Sequence, residues 1–190
     1  MPADIPQPWR AFLSDIDTML GSEKVAGPVQ LHCVGGFVVA TRYNLQRSTA
    51  DLDVFEVVPA AALKPLLQMA GKGSQLANKH GVYVDAGSRV ATVPESYADR
   101  LTELFPGTFT NLKLFALDPY DLALSKLERN IDRDREDVLL LAQTTAFDVG
   151  VLKERYMTEL RPIITGPVSR HDLTLELWIE MINEVRQRVV

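Results

Sequence analysis

A single cysteine, Cys33, stands among the 190 residues. One thiol closes no internal disulfide and builds no thiolate metal cluster. No run of about 18 apolar residues exists, so no membrane-spanning segment is expected. The opening residues, MPADIPQPWR, lack the basic segment and apolar stretch of a secretory leader. The expected location is a reducing cytoplasm. Basic excess is absent too: 20 Lys and Arg against 25 Asp and Glu give a formal charge of -5. A broad surface gripping nucleic acid phosphates is not expected on such a chain. There is no internal repeat, no low-complexity tract, no His-Glu-X-X-His helix and no Gly-X-Ser-X-Gly elbow. Those gaps remove the zinc-protease and serine-hydrolase motifs. What is present, 46% hydrophobic and 24% charged residues, is the composition of an ordinary globular domain.

Patterning then divides the chain. Trp9, Phe12, Leu13, Ile16, Met19 and Leu20 recur at spacings of three and four, one stripe of a helix that Gly21-Ser22 stops. Val29 to Val34 reads as a buried strand, followed at once by Gly35-Gly36 and a helix to about Arg42. Leu52 to Val58 is the strongest strand, closed by Pro59. A helix over 60–70, a strand at Val82 to Asp85 and another over Asn111 to Leu117 follow. Asp118 is a natural N-cap with Pro119 at the first helical position, and helices are expected near 119–130, 134–146, 149–160 and 171–188. Strands first and helices afterwards predict an α+β fold: a small mixed sheet over 1–117 with flanking helices, then a helical part over 118–190.

The chemistry concentrates between Gly35 and Asp53. A strand running through two glycines into a helix offers bare backbone N–H groups at a positive helix end, where phosphate binds closely. Asp51 and Asp53 sit two apart at the start of a strand, so both carboxylates project from one face. Side by side they repel unless a cation lies between, and their hard oxygens suit Mg²⁺ held jointly with substrate phosphates. Asp85, ending the later strand, is positioned to join them if the strands are adjacent. Three such acids beside a triphosphate make a phosphoryl-transfer site, the third able to deprotonate the attacking hydroxyl. Against this stands a plainer reading, in which Asp51 caps a turn and Asp85 merely ends a strand before Gly87.

Taken together, Val34-Gly35-Gly36 and Arg47-Ser48-Thr49-Ala50-Asp51-Leu52-Asp53 resemble the signature of the polymerase-β-like nucleotidyltransferase superfamily. The likeness is nearest to its minimal bacterial members of the AbiEii type, the toxins of type IV toxin–antitoxin systems. It continues through Val93-Pro94 to Arg100-Leu101, through Leu117-Asp118-Pro119-Tyr120-Asp121 to Ser125-Lys126-Leu127, and into Arg133 to Val138. The resemblance implies an Mg²⁺-dependent transfer of NMP from an NTP to a hydroxyl on RNA, notably a tRNA end, or on a protein, with an antitoxin as partner. It implies that Gly35 and Gly36 hold the triphosphate and that Asp51, Asp53 and Asp85 hold the metal. Lys126 would neutralise charge as pyrophosphate leaves; Arg47 and Thr49 would steady the acids or touch phosphate; Asp134 and Asp137 would orient Lys126 or the substrate. There are two departures: the spacing from the glycines to Asp51 is on the long side, and Gly36 stands where the superfamily usually has serine. The second difference motivates the alternative expectation of a nucleotide-binding module or partner subunit without turnover.

Overall fold

The structure, a computed structural model, describes residues 5–23, 27–43, 49–86 and 91–188. Contacts divide the chain into two compact units, one of residues 1–90 and 101–116, the other of 91–100 and 117–190.

The first unit is a five-stranded mixed sheet with helices. In chain order it comprises α1 (Trp9–Ser22), β1 (Val29–Cys33), α2 (Gly35–Arg42), β2 (Asp51–Val58), α3 (Leu63–Ala70), α4 (Gln75–His80), β3 (Tyr83–Ala86), β4 (Thr102–Leu104) and β5 (Leu112–Ala116). The strand order is β3-β2-β1-β5-β4. β1 runs antiparallel to β2 and parallel to β5, β2 is parallel to β3, and β4 is antiparallel to β5. Alternation separates the two faces. Leu31, Cys33, Leu52, Val54, Val84, Leu112 and Leu114 are buried on one, where Phe12, Ile16, Phe37 and Leu66 of the helices complete the core. Gln30, Asp51, Asp53, Tyr83 and Lys113 alternate with them and stay half-buried, and Asp85 is exposed.

Cys33 is fully buried, and burial pushes its thiol far above the ordinary range, so it is a core residue and no nucleophile. His32 likewise packs edge-on against Phe115, and burial lowers its pKa against the pull of Glu56. β4 and α4 were not visible in the sequence pattern, because three and six residues are too short to carry a period.

The second unit is helical: α5 (Pro119–Leu124), α6 (Asp132–Thr144), α7 (Val149–Arg155) continuing into a π-helical turn over Tyr156–Leu160, and α8 (Val168–Arg188). Asp118 caps α5 as its sequence suggests, its Oδ1 accepting the N–H groups of Tyr120 at 3.1 Å and Asp121 at 2.9 Å. That helix is shorter than the expected 119–130. It ends at Leu124, and the chain turns until Asn130, whose φ of 44° lies in the left-handed region. The Asn130 Oδ1 accepts N–H groups from Trp178 (3.0 Å) and Arg135 (3.1 Å), which fixes the turn between α8 and α6. Residues 91–100 join this unit because Arg100 donates to the carboxylates of Asp121, at 2.9 and 3.1 Å, and Glu159, at 3.1 and 2.7 Å. Among the described residues no helix is long and apolar enough to cross a membrane.

Candidate active site

The site is built where β1 ends and β2 begins. The Val34 N–H donates to the Asp53 carbonyl at 2.9 Å, tying the two strand ends together. A bulge at Phe55 of β2, opposite His32 and Cys33, shifts the register just before this corner. The chain then turns through Gly35, with φ of +71°, directly into α2. The turn has a steric cause as well as a dihedral one. A Cβ at Gly35 would overlap the Oδ2 of Asp53 and lie 2.9 Å from its Cγ. The Asp53 carboxylate therefore rests on the bare Cα at the first residue of α2.

That helix has no acid in its first turn, and its N-cap residue, Val34, supplies no capping side chain. Its N-terminal amides form an electropositive end, and the carboxylate of Asp53 lies against it. A phosphate placed on the same amides would meet that carboxylate. Two anions at such range repel unless a cation lies between them. The donor set of the corner, carboxylate oxygens on one sheet face, is of the hard kind that magnesium takes together with phosphate oxygens.

Asp51 lies on the same face as Asp53 and is half-buried. The Thr49 hydroxyl donates to its Oδ1 at 2.5 Å and also lies 3.3 Å from the Asp51 carbonyl oxygen, a local contact that orients the carboxylate. On the neighbouring strand, Asp85 is the register partner of Asp53, and Tyr83 that of Asp51. Parallel register puts Asp85 on the face of the other two acids. Among the described residues, however, no three His, Cys, Asp or Glu side chains gather into a metal-holding group. Gly36 follows Gly35 in the first turn of α2. Arg47 lies outside the described residues.

The remaining sequence candidates belong to the second unit. Lys126 is 4% exposed in the turn after α5. Its Nζ donates to Asp137 Oδ2 at 2.9 Å and lies 3.8 Å from Asp134 Oδ1. Asp134 also accepts two hydrogen bonds from Arg129, at 2.9 and 2.6 Å, and one from the Ile131 N–H at 3.2 Å. Burial alone would raise the Asp134 carboxyl; these donors and the Lys126 charge outweigh it and hold its pKa low. Asp134 and Asp137 thus position Lys126, and its ammonium is enclosed by two buried carboxylates.

Sequence reasoning missed a second ionic cluster in this unit. Asp121 is fully buried between Arg100 and Arg155, and Arg155 reaches Asp118 as well, at 2.6 Å. Burial raises the Asp121 pKa despite its guanidinium partners. The signal was available in Arg100 and Asp121, which lie in separate parts of the stretches that carried the resemblance. Nothing in a linear pattern pairs them.

A mixed sheet with a two-glycine turn into a helix, and acids beside that turn, fits a nucleotidyltransferase-like fold. Comparison with family models makes the assignment specific. Residues 12–186 match the family described as "Nucleotidyltransferase of unknown function (DUF6036)", and the chain belongs to it. Comparisons with curated proteins and with solved structures gave no match.

The Gly35 corner yields a direct prediction. Gly35→Ala and Gly107→Ala both place a Cβ at positive φ, +71° and +75°, but only the first meets another group within 4 Å. The Gly107 variant is expected to lose about 1 kcal/mol from backbone strain alone. In the Gly35 variant the displaced Asp53 adds to that, for a loss of about 2 kcal/mol or more. Urea unfolding midpoints measure both; equal losses would show that Asp53 does not rest on Gly35.

Proposed function

We propose that the chain transfers a nucleotide from an NTP to a hydroxyl-bearing acceptor, releasing pyrophosphate. The observation that carries this reading is the corner at which the Asp53 carboxylate lies on Gly35 at the start of α2. The amides of Gly35 and Gly36 would hold the triphosphate, as helix N-termini hold anions. Mg²⁺, held by Asp51 and Asp53 with the substrate phosphates, would supply Lewis-acid polarisation of the phosphoryl group.

The acceptor oxygen then bonds to the α-phosphorus. The bond from that phosphorus to the oxygen bridging it to the β-phosphate breaks, and pyrophosphate leaves with the electron pair. Asp85, exposed and in register with Asp53, takes the hydroxyl proton. Thr49 keeps Asp51 oriented. Charge on the leaving pyrophosphate is met by the α2 amides, while Lys126, Asp134 and Asp137 hold the helical unit together.

The likeness to AbiEii-type proteins extends this reading to a toxin restrained by an antitoxin partner. A binding module without turnover is the second reading, favoured by Gly36 in place of the superfamily's serine. Incubation with each α-labelled NTP, Mg²⁺ and either total tRNA or cell protein separates them. Label on an acceptor is the expected result. NTP binding with no label on any acceptor would favour the binding module, and absence of NTP binding would contradict both.

A further inference from the structure

The acid pair has two sides, and they differ. On the β1 side lie Gly35 and the N-terminus of α2, the place proposed for the triphosphate. On the other side lies β3, at the edge of the sheet. Adjacent strands are about 4.8 Å apart, so Tyr83, register partner of Asp51, is its lateral neighbour on the same face. Its ring is half-buried and therefore presents a surface.

Beyond β3 the chain leaving α3 touches the sheet once more, Gly71 bridging to Val84 in parallel. The next residue, Lys72, is exposed and carries its Nζ over the Tyr83 ring, 5.6 Å from the centroid. Among the described residues Lys72 makes no ion pair. Lys126, by contrast, has its ammonium enclosed by Asp134 and Asp137.

We propose that Tyr83 and Lys72 form the acceptor subsite and that the acceptor is the end of a single-stranded RNA rather than a protein side chain. This rests on the nucleotidyltransferase reading above. An aromatic face beside an exposed ammonium matches a nucleobase and its phosphate: the base stacks on the ring, and the lysine moves to the neighbouring phosphate. A compact ammonium on a flexible stem suits that shift. A serine, threonine or tyrosine acceptor has neither a base to stack nor a phosphate to pair. The subsite also places the terminal hydroxyl beside Asp85, two residues along the same strand face as Tyr83. One ring and one cation hold about one nucleotide, which agrees with a chain of net charge -5 that lacks a long basic track.

The test titrates a fluorescein-labelled single-stranded RNA hexamer into the full chain by anisotropy, with NTP binding measured separately by calorimetry. Tyr83→Leu and Lys72→Met are each expected to weaken RNA binding about tenfold, as loss of one stacked base or one phosphate contact does. Tyr83→Phe, which keeps the ring, should bind as wild type, and so should Lys153→Met on the exposed side of α7. NTP affinity should be unchanged in all four. Undiminished RNA affinity in Tyr83→Leu and Lys72→Met would overturn the proposal, as would nucleotide label that goes to cell protein and never to RNA. A wild type that fails to bind NTP would strike the nucleotidyltransferase reading alone, because the RNA titration contains no NTP and still judges the subsite.

Discussion

Asp53→Asn is expected to leave a folded protein whose nucleotide transfer is lower by about a hundredfold or more. The substitution keeps the shape of the side chain and the backbone carbonyl that accepts the Val34 N–H at 2.9 Å. What it removes is the negative charge at the start of α2. A neutral amide resting on Gly35 neither attracts a divalent cation nor completes an anionic pair with Asp51, so the proposed Mg²⁺ would lose a ligand and phosphate would meet the corner without it. Stability should change little, since the side chain stays half-buried on the open face. Asp99→Asn, at an exposed position in the second unit, is the matched control and should transfer at the wild-type rate. If Asp53→Asn retains wild-type transfer while folded, chemistry does not occur at this corner.

The second large effect concerns Lys126, and it is an effect on folding. Lys126→Met removes the ammonium from two carboxylates, Asp134 and Asp137, that are 0% and 1% exposed. Breaking a buried ion pair from one side costs about 3–5 kcal/mol, because the remaining charge stays desolvated. Arg129 still serves Asp134, while Asp137 loses the donor that lies 2.9 Å from its Oδ2. Replacing Asp137 by leucine in the same chain should recover much of the loss, since an apolar pair of similar volume carries no desolvation penalty. Denaturant midpoints of the single and double variants test this. A Lys126→Met protein with an unchanged midpoint and lost transfer would instead give Lys126 the role at the triphosphate that the family resemblance implies.

These two residues show what a sequence reveals and what it withholds. Gly35, Gly36, Asp51 and Asp53 were legible because strand, turn and helix follow one another without interruption, and alternation fixes the face of each acid. The strand bearing Asp85 was legible too. Its neighbour was not, because β2 and β3 are joined by α3 and α4 and register is a property of the folded sheet. Tyr83 escaped notice for the same reason: its place beside Asp51 exists only through that register. Lys126 was legible as a lysine in a family-like stretch but not as a buried one. The turn that places it ends α5 six residues early, at a left-handed Asn130 held by Trp178 and Arg135 from elsewhere in the chain. Arg100 and Asp121 likewise meet across 21 positions of sequence. Local chemistry was readable; long-range pairing was not.

Nucleotide transfer at the Gly35–Asp53 corner is the proposal on which the acceptor subsite also rests. The most direct measurement is the stoichiometry of the reaction: pyrophosphate released against nucleotide label fixed to acceptor, in wild type and in Asp53→Asn. Equal amounts of both are expected in the wild type, and the loss of both in the variant. Release of inorganic phosphate without label, or equal turnover by wild type and variant, would contradict the proposal.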